Sequence, residues 1–78
     1  MHGCDAEVVE LVAEEGSTIT RKTLAELASK LTQITIGAVF RNGDWQVAIG
    51  STKIAPGERA IGICLSNQLG DLQRLFLS

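Results

Sequence analysis

The sequence holds little of what enzyme chemistry usually needs. Its 78 residues include a single histidine, His2, at a terminus, where chains tend to fray. With no second imidazole, neither a Ser-His-Asp nor a Cys-His constellation has its base in a workable place. Cysteine is limited to Cys4 and Cys64, with no CxxC, so a structural zinc site lacks its ligands. The two can pair as a disulfide; alternatively Cys64, set in an apolar run, is a small core residue of a protein in a reducing cytoplasm. No Walker or GxGxxG sequence occurs, which argues against a self-contained P-loop or dinucleotide site. Apolar stretches reach five or six residues, far from the ~20 that cross a bilayer as a helix, and the early acidic residues Asp5 and Glu7 do not fit a signal peptide. Neither charge sign is in excess: seven basic against nine acidic residues give −2, without the basic footprint of a general nucleic-acid binder. These absences point to a domain that is not an enzyme, has no metal site or cofactor of its own and has no nucleic-acid partner.

What is present suffices for one small domain. Hydrophobic residues make up 45% of the chain, and a domain near this size buries about 60% of its unfolded surface. Residues 6–14 are rich in β-branched side chains and favour a strand, although their acidic spacing also permits a helix. After Gly16-Ser17 the period changes: Leu24, Leu27, Ala28 and Leu31 form one stripe of a helix, with Thr20 or Thr23 as its cap and Glu26 three residues after Thr23, as in a capping box. Such a stripe serves a core or an interface. Residues 34–40 form an apolar run, and Asn42-Gly43 before Trp45 is a hairpin signal, because both turn residues need positive φ. Pro56-Gly57 marks another turn, and residues 59–65 a further strand with Ile61, Ile63 and Leu65 on one face. Gly62 on the other face suits a close backbone approach. Ser66 or Asn67 can cap a last helix carrying Leu69, Leu72, Leu75 and Phe76. The expected fold is α+β: a β-α-β-β-β-α domain over residues 6–78, with a mostly antiparallel sheet packed by two helices. Residues 1–5 read as a disordered or expression-derived tail.

Charge is unevenly placed. Residues 1–15 hold five acidic side chains and no lysine or arginine, while the rest of the chain nets +3. This acidic stretch is either a solvated edge or a surface for a partner copy or a divalent cation. Arg21 and Lys22, at the start of the expected first helix, are the candidates for holding an anionic ligand, with Arg41 at the hairpin as a third; the alternative is that all three are plain surface charges. Trp45 suits an interface anchor or half-buried core packing.

Three segments together resemble a known family. Residues 17–27, Ser-Thr-Ile-Thr-Arg-Lys-Thr-Leu-Ala-Glu-Leu, are similar to the S-x-L-x-G-K-x-L-x-E-L opening of RCK C-terminal (TrkA-C type) domains. Residues 36–44 resemble that family's V-x-x-I-x-R-[DN]-G hairpin, and residues 52–61 its T-x-L-x-x-G-D-x-L segment. The sequence departs from the pattern at Arg21, where the family has glycine, at Ala48, where it often has proline, and at Glu58 in place of aspartate. The resemblance implies a dimeric regulatory module of a prokaryotic potassium channel or transporter, cytoplasmic and attached to the inner face of the membrane through that partner. It implies an effector at the dimer surface, such as cyclic di-AMP or a divalent cation. It also implies that nucleotide binding belongs to a separate Rossmann-like domain, so that this chain is an excised piece of a longer protein. The alternatives are a pure assembly module without a ligand, or the same module on another transporter or a regulator.

Overall fold

The computed structural model describes residues 5–77. His2 and Cys4, and with them the disulfide alternative, lie outside the described residues, as does most of the expected N-terminal tail. Four strands, β1 (Ala6–Val12), β2 (Ile34–Arg41), β3 (Asp44–Val47) and β4 (Arg59–Leu65), form one antiparallel sheet in the order β1-β4-β2-β3. One α-helix, α1 (Leu69–Leu77), follows. The α+β class and the antiparallel sheet agree with the sequence, and β4 has the expected bounds. Residues 6–14 resolve to the strand alternative.

The hairpin forms through Asn42 and Gly43, at φ 56° and 79°, the left-handed pair that a two-residue turn of this twist requires. Register slips by one residue between Ile36 and Ala38, a bulge centred on Gly37. At Pro56-Gly57 the Glu58 N–H donates to the Ala55 carbonyl at 3.1 Å, with Gly57 at φ 87°, as a type II turn demands.

The expected first helix is the main difference. Residues 18–31 fold as tight turns with 3-10 pieces at Thr18–Thr20 and Ala28–Lys30, so the sheet is packed by one α-helix and not two. The capping box itself exists: the Thr23 N–H donates to the Glu26 carboxylate at 2.9 Å, and the Glu26 N–H donates to Thr23 Oγ1 at 3.3 Å. The ladder does not propagate beyond it. The Leu24 and Ala25 N–H groups donate to the Thr52 and Gly50 carbonyls, and those of Ala28 and Lys30 to carbonyls three residues back. A stretch of nine residues is short for an unaided helix. Here the loop at 50–52 fixes its first turn, and Gln33 at φ 61° ends it.

The core lies on one side of the sheet. Ile34, Ile36 and Val39 from β2 and Ala60 and Cys64 from β4 meet Leu72, Leu75 and Phe76 of α1 and Ile19, Leu24 and Leu27 of the turn segment. Small residues on β4 let α1 come close: a Cβ on Gly62 would lie 2.8 Å from Leu72 Cδ2. The last helix is not capped by Ser66 in the expected way. Its hydroxyl is instead 3.0 Å from the Asp5 carbonyl and from the Glu7 carboxylate, tying the chain to the start of β1.

Candidate functional site

The core-facing side of β4 takes Ala60, Gly62 and Cys64, so the strand alternation turns Ile61, Ile63 and Leu65 to the opposite side. That side carries apolar residues from every strand, interrupted by Glu10 opposite Ile61 and by Thr35 opposite Ile63. Reading along the register, Ala6 stands beside Leu65, Val8 beside Ile63, and Ile61 beside Ala38, which pairs in turn with Val47. Val8 is 67% exposed, Val47 80% and Ile63 40%. One end of this face is more polar. Arg59 donates to the Glu10 carboxylate at 3.3 Å, and its guanidinium carbon is 4.5 Å from the Phe40 ring centroid. Phe40 and Trp45 meet edge-on, with centroids 5.1 Å apart. Trp45 is therefore partly exposed on the open face and is not a core residue.

At the other end, Ala6, Gln33, Thr35, Ile63, Cys64 and Leu65 line an apolar cleft of about 310 Å³. Its polar side chains are the Gln33 amide and the Thr35 hydroxyl. The cleft is thus mostly apolar, with these two polar groups at its edge. Burial pushes the Cys64 thiol above its usual pKa, with the nearby Glu7 carboxylate adding to the effect. The cysteine is thus a packing group and a poor nucleophile.

The candidates Arg21 and Lys22 lie in the layer that packs on the helix side. With Lys30, Thr18, Ser29 and Glu26 they line a groove of about 310 Å³. Arg21 donates from Nε and Nη2 to the Gly16 carbonyl, at 3.2 and 3.0 Å. Its backbone is ordinary right-handed helical, φ −86° and ψ −30°, so the absent family glycine costs no strain here. Glu26 is held below the usual carboxylate range by hydrogen bonds from the Thr23 backbone and hydroxyl, with Lys22 and Lys53 adding to the effect. Three cations and hydroxyl groups thus share the groove with one firmly ionised carboxylate.

Arg41 stands apart from the other two. Its Nε and Nη2 reach Glu58 Oε2 and Oε1 at 2.7 and 2.6 Å, and Nη2 also reaches the Lys53 carbonyl. This fork ties the hairpin to the 53–58 loop, and Glu58 accepts the Ala55 N–H as well. The hydrogen bond from Arg41 holds the Glu58 carboxyl below its usual range, and the same bond raises the Arg41 pKa.

Two parts of this arrangement were missed in the sequence. Lys30 joins Arg21 and Lys22 only because the turn segment folds back on itself. The cleft at Gln33, Thr35 and Ile63 had one signal, the small Ala60, Gly62 and Cys64 alternating with large Ile61, Ile63 and Leu65, which marks the close-packed face. Among the described residues, no group of three or more His, Cys, Asp or Glu side chains is placed to hold a metal ion, and no helix is long and apolar enough to cross a membrane.

No family model matches the sequence, and no curated protein matches it. Solved structures do. The chain is similar to the RCK_C domain dimer of S. agalactiae BusR in complex with c-di-AMP, with TM-score 0.72, 21% identity and 88% of each chain covered. It is similar, at the same score and identity, to S. agalactiae BusR in complex with its busAB-promotor DNA, of which it spans 35% while 88% of this chain is covered. A third neighbour is an RCK domain with cda, with TM-score 0.72, 17% identity, and 88% of this chain and 96% of that one covered. The chain has the fold of an RCK C-terminal domain.

Proposed function

We propose that this chain is a non-catalytic regulatory domain that forms a homodimer and binds a cyclic dinucleotide of the cyclic di-AMP type. The observation that carries this reading is the apolar cleft at Thr35, Ile63 and Leu65, on a fold whose solved neighbours include a domain dimer in complex with c-di-AMP. A base would lie against Ile63 and Leu65, with the Gln33 amide and the Thr35 hydroxyl meeting its edges. A ligand that binds one dimer geometry better than another shifts the population, and an attached protein can read that shift. The domain carries no cofactor of its own in this reading. Its host is a prokaryotic potassium transporter or channel, with the domain on the cytoplasmic side and membrane contact made through that partner. A regulator is a second host, favoured by the DNA complex of the longer BusR neighbour. That complex conflicts with the expectation that no nucleic acid is involved, and the expectation is not kept for the host.

A second reading puts the anion in the groove of Arg21, Lys22 and Lys30, on the strength of its three cations. Thermal melting with and without cyclic di-AMP separates the two. A ligand at 100 times its Kd adds about 2.7 kcal/mol, which raises the midpoint of a domain this small by about ten degrees or more. The cleft reading expects Thr35→Glu to abolish the shift and Lys22→Ala with Lys30→Ala to leave it intact. The reverse pattern moves the ligand to the groove. No shift in a dimeric wild type leaves an assembly module without a ligand.

A further inference from the structure

We infer that the free edge of β1, from Val8 to Val12, takes an extended basic segment of a partner protein, which adds to the sheet as a further strand. β1 stands at one end of the sheet and pairs only with β4. In an antiparallel pair every second residue turns its N–H and C=O toward the neighbouring strand, and the residues between turn theirs away. The phase is fixed at both ends of β1. The Ser66 N–H donates to the Asp5 carbonyl at 2.8 Å and the Ala13 N–H to the Glu58 carbonyl at 3.0 Å, both continuing the strand register. Glu7, Val9 and Leu11 therefore bond to β4, and the main-chain groups of Val8, Glu10 and Val12 point outward. Among the described residues, none of these three makes a main-chain hydrogen bond outside the strand ladder.

Natural sheet edges are blunted by proline, lysine, a bulge or a covering loop. β1 has neither proline nor lysine, its register with β4 is unbroken over seven residues, and Val8 and Val12 are exposed along it. On its other side Val9 and Leu11 are half-buried against the core, so an added strand lengthens the apolar layer there. Charge selects the occupant. Residues 5–15 hold Asp5, Glu7, Glu10, Glu14 and Glu15 and no lysine or arginine, and the one basic residue of β4, Arg59, is paired with Glu10. A second copy of β1 would bring two such sets of carboxylates to one seam, where like charges repel. A strand bearing lysine or arginine meets opposite charge instead, while its main-chain bonds supply affinity, as in other strand additions. Val8, Glu10 and Val12 do not line the cleft at Thr35 and Ile63, so the inference does not depend on a cyclic dinucleotide binding there.

Amide NMR of the full chain, titrated with a synthetic peptide of alternating valine and threonine with lysine at each end, tests the assignment. Binding should slow exchange of the Val8, Glu10 and Val12 N–H groups, which exchange freely in the unbound chain, while those of Val9 and Leu11 are protected throughout. Val8→Pro removes one outward donor and leaves the ladder to β4 whole, so this variant should fold and bind about tenfold more weakly. Glu14→Lys with Glu15→Lys should weaken the lysine peptide and strengthen a counterpart with glutamate at each end, both effects shrinking at high salt. The inference is overturned if the lysine peptide leaves these amides unchanged, if the two peptides bind wild type equally, or if binding ignores both variants. Edge amides already protected in an unbound dimer also overturn it and give the edge to a second copy. Should Val8→Pro not fold, the amide exchange and the charge reversal decide by themselves.

Discussion

Buried and half-buried polar side chains among the described residues show both extremes of hydrogen bonding. Ser17 is fully buried, and its hydroxyl has no hydrogen-bond partner. A buried unsatisfied hydroxyl costs about 1–3 kcal/mol, whereas alanine fills nearly the same space. Ser17→Ala is therefore expected to raise stability by about 1 kcal/mol in urea unfolding, and a loss instead would mean that the hydroxyl does useful work. Glu58 is the opposite case. Arg41 holds its carboxyl below the usual range in the folded state. A group whose folded pKa is depressed contributes stability that is complete above its unfolded pKa, near 4.3, and is lost as pH falls through the folded value. Melting followed from pH 6 downward should show an acid limb below about pH 4.3 that Glu58→Gln flattens. An identical limb in the variant would assign the acid sensitivity to other carboxylates. Arg41 was legible as a cation at a hairpin. That it belongs to Glu58 depends on two turns, seventeen residues apart in the chain, closing on each other.

Elements show how far periodicity reaches. The hairpin at Asn42-Gly43 and the strand Arg59–Leu65 were readable because the requirement for positive φ and the β-branched alternation are local. The helix expected over residues 23–31 was not, because apolar spacing alone does not tell a helix from a run of tight turns whose first N–H groups are claimed by another loop. The capping box at Thr23 and Glu26 was correctly placed, yet it starts only one turn. Packing of α1 on β4 turns on Gly62. An alanine there drives its Cβ into Leu72, which is fully buried and has little room to yield. Gly62→Ala should cost about 1–3 kcal/mol by denaturant unfolding. In a Leu72→Ala background the same change should cost much less, since the collision is gone. Equal costs in both backgrounds would locate the strain in the backbone and not in this contact.

At the scale of the molecule, the sheet has a helix on one side only, and 78 residues leave little core to spare. In the proposed homodimer folding and association are linked, so the melting midpoint should rise by a few degrees for each tenfold increase in protein concentration. A wild-type midpoint independent of concentration over a hundredfold range would separate stability from pairing. The sequence by itself determined the α+β class, the strand at Arg59–Leu65 and the turns at Asn42-Gly43 and Pro56-Gly57, because these follow from composition and from spacings of two to four residues. Only the tertiary structure decided which face of β4 is inside, that Arg21 and Lys22 share a groove with Lys30 while Arg41 does not, and that a cleft opens at Thr35 and Ile63. The physical reason is that strand alternation fixes two faces without saying which one a distant helix will cover. That choice falls to the small side chains of Ala60, Gly62 and Cys64, against which α1 can approach most closely.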